Sequence, residues 1–226
     1  TLPTAPQPPE ALQGFRERHG LGDARLLLSI GRLTERKGLR EFVRGALPGI
    51  VREAPDVVLA VVGDAPTDSL LAGVQSRESI LATAEAAGVG RQLRFLGVIT
   101  DPQVLACAYE AASVHVFPVR EIPGDPEGFG MVAIEAAAHG LPTVAFATGG
   151  IVDAVADGES GRLVPPGDYP GMRDGVLAVL RDGGVDRPAS AQRFAEHFAW
   201  SQFGSRLHIG LGLPCQATHA EQGAFT

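Results

Sequence analysis

The chain has 226 residues, of which 45% are hydrophobic and 20% charged, and its net charge is −7. An apolar share of this size supports a substantial folded core and argues against a disordered chain. The acidic balance argues against a basic surface of the kind that binds nucleic acid or anionic membranes. Two cysteines, Cys107 and Cys215, are too few for a disulfide framework or a zinc site.

Targeting signals are the next feature. No stretch reaches the roughly 18 apolar residues of a spanning helix, and the first residues lack a basic-then-apolar signal. The sequence therefore predicts a cytoplasmic protein without a membrane span of its own.

The first residues are rich in proline. Four prolines fall within residues 1–9, which predicts an extended segment. We therefore interpret residues 1–22 as a proline-rich linker that leads into the folded domain.

Apolar runs and helical patterns then alternate along the chain. Six β-rich runs predict strands at 25–31, 57–63, 93–97, 114–118, 143–147 and 162–165. Helices are predicted between and after them at 38–53, 77–87, 102–112, 129–139, 150–156 and 169–180. Nearly continuous apolar strands separated by helices are typical of a parallel sheet covered on both faces. The fold class is therefore α/β, with a doubly wound, Rossmann-like domain at 23–181.

The last part of the chain departs from this alternation. Two helical patterns, 188–200 and 201–209, predict C-terminal helices within 182–210. The glycine-rich residues 211–226 are predicted to be a flexible tail.

The loop after the first strand, GRLTERKG, carries Arg32 and Lys37. Ligands of doubly wound sheets bind beyond the carboxyl ends of the strands, where this loop lies. A lysine at the start of a helix opposes the helix dipole, so a bound anion is one explanation for it. Arginine and lysine are both suited to phosphate. Two solvated surface cations are the alternative interpretation.

The run EGFGMVAIE places carboxylates at Glu127 and Glu135 around the start of a predicted helix. The amides of Phe129, Gly130 and Met131 would be free donors at that helix N-terminus, where phosphate binds readily. Glu135 lies among residues that look suited to burial, and an unpaired buried carboxylate is destabilising. If eight helical residues separate the two carboxylates, they lie about 12 Å apart and could bind hydroxyl groups at opposite ends of a diphosphate. A helix-start acid plus a solvent-exposed glutamate is the alternative.

Other polar residues give weaker signals. His139, at a helix end, is predicted to cap carbonyl groups, and His115, in a strand, is predicted to be a core histidine. Gly149 and Gly150 either approach a ligand or only form a turn. The sequence has no metal-ligand spacing, no nucleophile elbow and no Walker loop.

Four segments together resemble a known family: GRLTERKG, LRFLGVITD, EGFGMVAIEAAAHGLPTVAFATGG and DGESGRLVPPGD. The resemblance as a whole covers about Leu26 to Asp168. They are similar to the retaining glycosyltransferases of two-Rossmann-domain (GT-B) architecture, group 1, which include sucrose synthases, bacterial glycogen synthases and phosphatidylinositol mannosyltransferases. The resemblance implies the C-terminal, donor-binding half of a GT-B hexosyltransferase.

The resemblance also implies roles for individual residues in binding a nucleotide sugar. Arg32 and Lys37 would neutralise the donor diphosphate as it leaves, and Glu127 would meet the transferred sugar. Glu135 would hold the nucleotide ribose, and the main chain near Val98 would contact the base.

The family further implies that Phe129, Gly130 and Met131 bind the sugar and diphosphate through their amides. Fixed cations and amides would replace a metal ion, so no cofactor and no metal are expected. Retention of configuration is likewise an implication of the family.

Two departures from the family concern loops near the donor. Segments 64–77 and 121–126 differ from the usual pattern of the family. The donor sugar is therefore left open, and the donor is expected to be linked to UDP or GDP. Segment 121–126 resembles the corresponding loop of phosphatidylinositol mannosyltransferases, which favours a GDP-linked sugar.

The family also has an N-terminal acceptor domain, and no second Rossmann pattern is found here. We therefore expect this chain alone to bind a donor without transferring sugar. Any peripheral membrane association is expected only through that other domain.

Two other functions are alternatives. GFGMVA fits the dinucleotide fingerprint G-x-G-x-x-A, which would indicate an oxidoreductase. It begins, however, at the tenth residue after the preceding strand, where the fingerprint requires an immediate turn. A non-catalytic module that binds sugar nucleotides is the other alternative.

Overall fold

The structure, a computed structural model, describes residues 5–66, 73–182 and 187–199. Six parallel strands form one sheet in these residues. They are β1 (Arg25–Ile30), β2 (Val57–Val62), β3 (Leu93–Gly97), β4 (Val114–Phe117), β5 (Thr143–Phe146) and β6 (Gly161–Val164). Their order across the sheet is β3-β2-β1-β4-β5-β6, so the predicted α/β, doubly wound fold is confirmed.

Helices connect and flank the strands. In chain order the described helices are α1 (Pro9–Arg18), α2 (Leu39–Gly45), α3 (Leu47–Glu53), α4 (Arg77–Ala86), α5 (Pro102–Glu110), α6 (Met131–Ala138), α7 (Ile151–Ala154), α8 (Tyr169–Arg181) and α9 (Arg187–Glu196). Short 3₁₀ turns lie at Glu35–Lys37 and Gly90–Gln92.

The core lies on both faces of the sheet. Helices α2, α3, α4 and α8 pack on one face, against alternate strand residues such as Leu27 and Val116. Helices α1, α5 and α6 cover the other face together with α7 and α9, against residues such as Leu28 and Ala145. Burial on both faces explains why the strands are apolar almost throughout.

The centre of the sheet is the junction between β1 and β4. Strand β1 pairs with β2 along its whole length, but with β4 only through Leu27 with Val114 and Leu28 with His115. The direction in which the chain adds strands reverses at this junction. Doubly wound sheets bind ligands beyond the carboxyl ends of the strands at such a point, so the loops after β1 and β4 define the candidate site.

The structure departs from the predicted elements in two places. Helix α1 lies within residues 1–22, predicted as linker, and Phe15 of this helix is buried in the core. Proline at the first helical position lacks only an N–H that would be unpaired there, so Pro9 starts this helix rather than preventing it. The helix predicted at 38–53 is instead α2 and α3, because Pro48 cannot donate the hydrogen bond that would continue α2.

The C-terminal predictions are covered only in part. Helix α9 corresponds to the helix predicted at 188–200. The helix predicted at 201–209 and the tail at 211–226 lie outside the described residues.

A separate question is whether a helix could cross a bilayer. Of the helices that the structure describes, none combines the length and the apolar character that a membrane span requires.

Candidate active site

The loop from Gly31 to Gly38 leaves β1 and carries the predicted cations. Arg32 is exposed, and it forms no ion pair with any residue that the structure describes. Lys37 lies at the end of the 3₁₀ turn and is partly buried. Gly38 has φ +66°, and a Cβ at this position would overlap the carbonyl oxygen of Pro118. Glycine therefore lets the loop after β4 pack directly against the cation loop.

Glu127 lies on the loop after β4 and meets Lys37. The Lys37 Nζ lies 2.8 Å from the Glu127 Oε2. Arg36 Nη1 also donates to this oxygen, and Arg36 Nε donates to Oδ1 of Asp125 at 3.1 Å. The sequence thus predicted two residues that the fold brings into contact, and it missed Arg36, which bridges both acids.

Lys37 has an unusual electrostatic environment. Its ammonium lies 4.8 Å from the centroid of the Phe117 ring. Burial, and then the charges of Arg36 and Arg32, lower the pKa of Lys37 to about 8, while Asp125 acts in the opposite direction. Burial and the neighbouring cations thus disfavour the charged form of Lys37, whereas the Glu127 carboxylate, like any added anion, favours it.

The N-terminus of α6 follows Glu127 along the chain. Gly130 caps the helix in the left-handed conformation, with φ 82°, and no side chain caps it. Among the residues described, no acceptor receives the amides of Phe129, Gly130 and Met131. Met131 is 61% exposed. These three N–H groups are therefore unpaired within the described residues, although Gly130 itself is buried, and unpaired groups at a helix N-terminus are suited to an anion.

Gly149 and Gly150 pack against the backbone of the turn before α6. A Cβ on Gly150 would overlap the carbonyl oxygen of Gly128, and a Cβ on Gly149 would lie 2.8 Å from the carbonyl oxygen of Glu127. The two glycines therefore let one loop approach another.

Glu135 differs from the expectation of a buried carboxylate. It lies on the exposed side of α6, and its Oε2 accepts a hydrogen bond from the hydroxyl of Tyr109 at 2.8 Å. The sequence suggested burial because the helix is rich in alanine, and small residues tolerate either environment. Glu127 precedes α6, so the 12 Å separation expected for eight helical residues does not apply.

Two histidines take the predicted structural positions. His139 is the C-terminal cap residue of α6, and its Nδ1 lies 3.0 Å from Glu110. His115 is completely buried, with Nδ1 3.0 Å from the hydroxyl of Thr143. Burial, and then the charge of Lys37, lowers the pKa of His115 to about 3, so His115 is a neutral core residue at ordinary pH.

Val98 lies apart from the ion pairs that Lys37 and Arg36 form with Glu127. It directly follows β3, two strands from β1, and is 66% exposed. Among the described residues, no hydrogen bond or ion pair joins Val98 or Glu135 to the contact between Lys37 and Glu127. Within the described residues, Val98 and Glu135 are therefore not hydrogen-bonded to the pair formed by Lys37 and Glu127.

Comparison with known families decides the identity of the domain. Residues 24–182 match the family described as glycosyl transferases group 1. The chain belongs to this family. The match covers all six strands and the loops of the candidate site.

Curated members of the glycosyl transferases group 1 family give a finer comparison. The chain is 33% identical to a GDP-mannose-dependent alpha-(1-6)-phosphatidylinositol monomannoside mannosyltransferase of Mycolicibacterium smegmatis, covering 88% of this chain and 50% of the relative. It is 38% identical to D-inositol 3-phosphate glycosyltransferase 2 of Catenulispora acidiphila, covering 82% and 43%. The chain thus spans about half the length of these relatives.

Solved structures support the same fold. Anabaena HepE, crystallised in complex with UDP, superposes with a TM-score of 0.74 at 22% identity, covering 91% of this chain and 53% of HepE. The structural neighbours are GT-B glycosyltransferases, so the domain has one of the Rossmann-like halves of that architecture.

The group 1 fold also bears on the oxidoreductase alternative. A dinucleotide fingerprint places its glycines in the first turn after a strand. Here β4 ends at Phe117, whereas Gly128 and Gly130 lie beyond a long loop next to α6. This spacing disfavours the oxidoreductase interpretation.

Across residues 5–66, 73–182 and 187–199, no group of three or more His, Cys, Asp or Glu side chains is placed to hold a metal ion.

Proposed function

We propose that this chain is the donor-binding part of a retaining glycosyltransferase, which transfers a hexosyl group from a nucleoside diphosphate sugar. The contact between Lys37, on the loop after β1, and Glu127, on the loop after β4, carries the proposal. It places a cation and a carboxylate side by side at the reversal point of the sheet, where such folds bind nucleotides.

The cations supply charge stabilisation in this proposal. Arg32 is exposed without an ion-pair partner among the described residues. Lys37 is held by its ion pair with Glu127. Negative charge grows on the diphosphate as its bond to the sugar breaks. Fixed cations that face this charge lower the barrier without reorganising.

The turn before α6 supplies hydrogen bonds in the same proposal. The amides of Phe129, Gly130 and Met131 would donate to the diphosphate and the sugar. Glu127, held by Arg36 and Lys37, would accept hydrogen bonds from the transferred sugar. The cations and amides would together take the place of a metal ion, so we propose that donor binding requires none.

Two outer positions would recognise the nucleoside. Tyr109 donates to Oε2 of Glu135. The other carboxylate oxygen, Oε1, has no hydrogen-bond partner in the described part of the chain. We propose that this free oxygen accepts hydrogen bonds from the ribose hydroxyls. Val98 presents an exposed apolar side chain and main chain after β3, where the base would lie.

The donor is proposed to be UDP- or GDP-linked. HepE binds UDP, and the mannosyltransferase relative is GDP-mannose-dependent by name. The relatives are about twice the length of the matched region. We propose that the acceptor binds the part of such enzymes to which this chain has no match, and that donor binding and transfer are therefore separable.

A ligand panel tests the proposal directly. Thermal unfolding would be followed with UDP-, GDP- and ADP-sugars and with NAD(H). A ligand that binds only the folded protein raises the unfolding temperature. A rise with at least one sugar nucleotide and none with NAD(H) is expected, and a rise with NAD(H) alone would refute the proposal.

A further inference from the structure

A buried polar cluster lies beside the cation loop and has no role in the proposed chemistry. Its centre is Gln75, whose side chain is completely buried. The Gln75 Nε2 donates to Oε2 of Glu41 at 2.6 Å, and the Gln75 Oε1 accepts the backbone N–H of Arg40 at 3.0 Å. Both ends of the amide are therefore satisfied by the start of α2, which directly follows the cation loop.

The backbone around Gln75 also pairs with the cation loop itself. The N–H of Glu35 donates to the carbonyl of Gly73 at 2.7 Å, and the N–H of Gln75 donates to the carbonyl of Leu33 at 3.0 Å. Thr34 and Val74 form an antiparallel bridge between these two hydrogen bonds. The residues between Arg32 and Lys37 are thus held in a short two-stranded ladder.

Glu41 extends the cluster to the loop after β4. Its Oε1 lies 3.4 Å from Nη1 of Arg120, and the backbone N–H of Arg120 donates to the carbonyl of Arg36 at 2.8 Å. Arg120 belongs to the same loop as Glu127. One buried carboxylate therefore connects α2, the segment that contains Gln75, and the loop that carries the proposed sugar contact.

The charge state of Glu41 fits this connecting role. Burial alone would raise the pKa of Glu41, but the hydrogen bond from Gln75 and the charges of Arg120 and Arg40 hold it below the ordinary value. A buried ion pair is a poor way to gain stability, because desolvating the charges offsets their attraction. It does, however, restrict the number of arrangements that satisfy every partner.

We propose that Gln75 and Glu41 are positioning residues that hold the cation loop in the geometry that binds the donor diphosphate. The inference rests on the proposed function, because it assumes that Arg32 and Lys37 contact phosphate. Neither Gln75 nor Glu41 touches the ligand in this proposal. Residues 73–75, which lie in the part of the chain that departs from the family pattern, thereby acquire a role in the site.

An exchange of the two side chains tests the proposal. Gln75→Glu places two carboxylates where an amide and a carboxylate now lie 2.6 Å apart, and like charges at this distance repel. Affinity for UDP and GDP should fall by about tenfold or more, with little change for uridine and guanosine. The double variant Gln75→Glu/Glu41→Gln reverses donor and acceptor in the pair but moves the charge away from Arg120, so it should recover most, though not all, of the lost affinity.

A matched control comes from α1. Gln13 Nε2 donates to Glu17 Oε1 at 2.7 Å on an exposed surface. Gln13→Glu therefore makes the same substitution against the same partner away from the site, and it should leave the affinity for UDP and GDP unchanged. Calorimetry would give the affinities, and thermal unfolding of each variant would be recorded in parallel.

The outcomes separate positioning from general stabilisation. Selective loss of diphosphate affinity in Gln75→Glu, recovered in the double variant, supports the proposal. Unchanged diphosphate affinity, equal losses for diphosphate and nucleoside, or recovery of unfolding temperature without recovery of affinity overturns it. If Gln75→Glu does not fold, Gln75→Met removes both hydrogen bonds without adding charge, and the same selective loss is required of it.

The wild-type protein distinguishes this inference from the proposed function. If wild type binds neither UDP nor GDP, the proposed function is wrong and the inference falls with it. If wild type binds one of them and the Gln75 variants bind it equally well, only the positioning role is overturned.

Discussion

Lys37 donates to Glu127 across the junction of the two halves of the sheet, at 2.8 Å between Nζ and Oε2. The two residues come from the loops after β1 and β4, which are widely separated in sequence. If the donor diphosphate binds here, Lys37 has two anionic partners, and the strength of its contact with each depends on the other.

The cations should act on phosphate and not on the nucleoside. Lys37→Ala or Arg32→Ala should weaken UDP or GDP binding by roughly 10- to 100-fold, the size of a charge-assisted hydrogen bond. Uridine and guanosine binding should change little. Calorimetry with both ligand classes is the measurement, and losses of equal size for both would show that the cations do not contact phosphate.

The affinity for UDP or GDP should fall as the pH rises through about 8, where Lys37 loses its proton. Lys37 is charged below this pKa and neutral above it, so the attraction for phosphate is present only on the acidic side. A bound anion raises the pKa of the ammonium, so binding near pH 8 should take up protons.

Calorimetry in buffers of different ionisation enthalpy measures this proton uptake. Lys37→Arg is the matched control, because guanidinium stays charged throughout the range. Persistence of the full pH dependence in Lys37→Arg would assign it to another group.

Removing the charge of Glu127 and removing that of Glu135 should have different effects on nucleotide affinity. Glu127→Gln frees Lys37 and Arg36 from an acid, so affinity for free UDP or GDP should hold or rise. Glu135→Gln should weaken it by about 1.5 to 3 kcal/mol through the ribose. Glu78→Gln, on the exposed first turn of α4, is the control. Indistinguishable effects of the first two changes would mean that the assigned roles are wrong.

The turn before α6 should be sensitive to one methyl group. Gly150→Ala forces a Cβ against the carbonyl of Gly128, and overpacking of this kind costs about 1 to 3 kcal/mol. UDP or GDP affinity and stability should both fall. Gly14→Ala in α1 adds a Cβ with no atom within 4 Å and should leave binding unchanged. A Gly150→Ala protein with wild-type affinity would show that the turn does not bind the ligand.

Donor binding should not require a divalent metal. Because cations and amides face the proposed diphosphate, UDP or GDP affinity should be the same after dialysis against EDTA and after addition of Mg²⁺. A strict dependence on Mg²⁺ would contradict the proposed role of Arg32 and Lys37.

Sequence patterns predicted the sheet well, because each strand is buried on both faces and therefore reads as an apolar run. They also placed Lys37 and Glu127 on loops at the carboxyl edge of the sheet, but the ion pair between the two side chains is evident only in the fold. The helix α1 escaped prediction because prolines at 8 and 9 resemble a linker and a helix start equally.

Other features could not be read from local sequence. Arg36 looks like one more surface cation beside Lys37, and only the fold brings Asp125 and Glu127 to it. The exposure of Glu135 depends on which side of an alanine-rich helix faces the sheet. The hydrogen bond from Tyr109 depends on how α5 and α6 pack together.

The sparse pairing between β1 and β4 has a consequence for folding. Strands β1 to β3 and strands β4 to β6 are each built from neighbouring segments of the chain, and within the sheet only the two residue pairs between β1 and β4 join the two sets. Such sets tend to open as separate cooperative units. A ligand bound both by Lys37, which follows β1, and by the α6 amides, which follow β4, would contact both units and stabilise their association. Amide hydrogens along this seam should then exchange more slowly with UDP or GDP bound, even at residues far from the ligand.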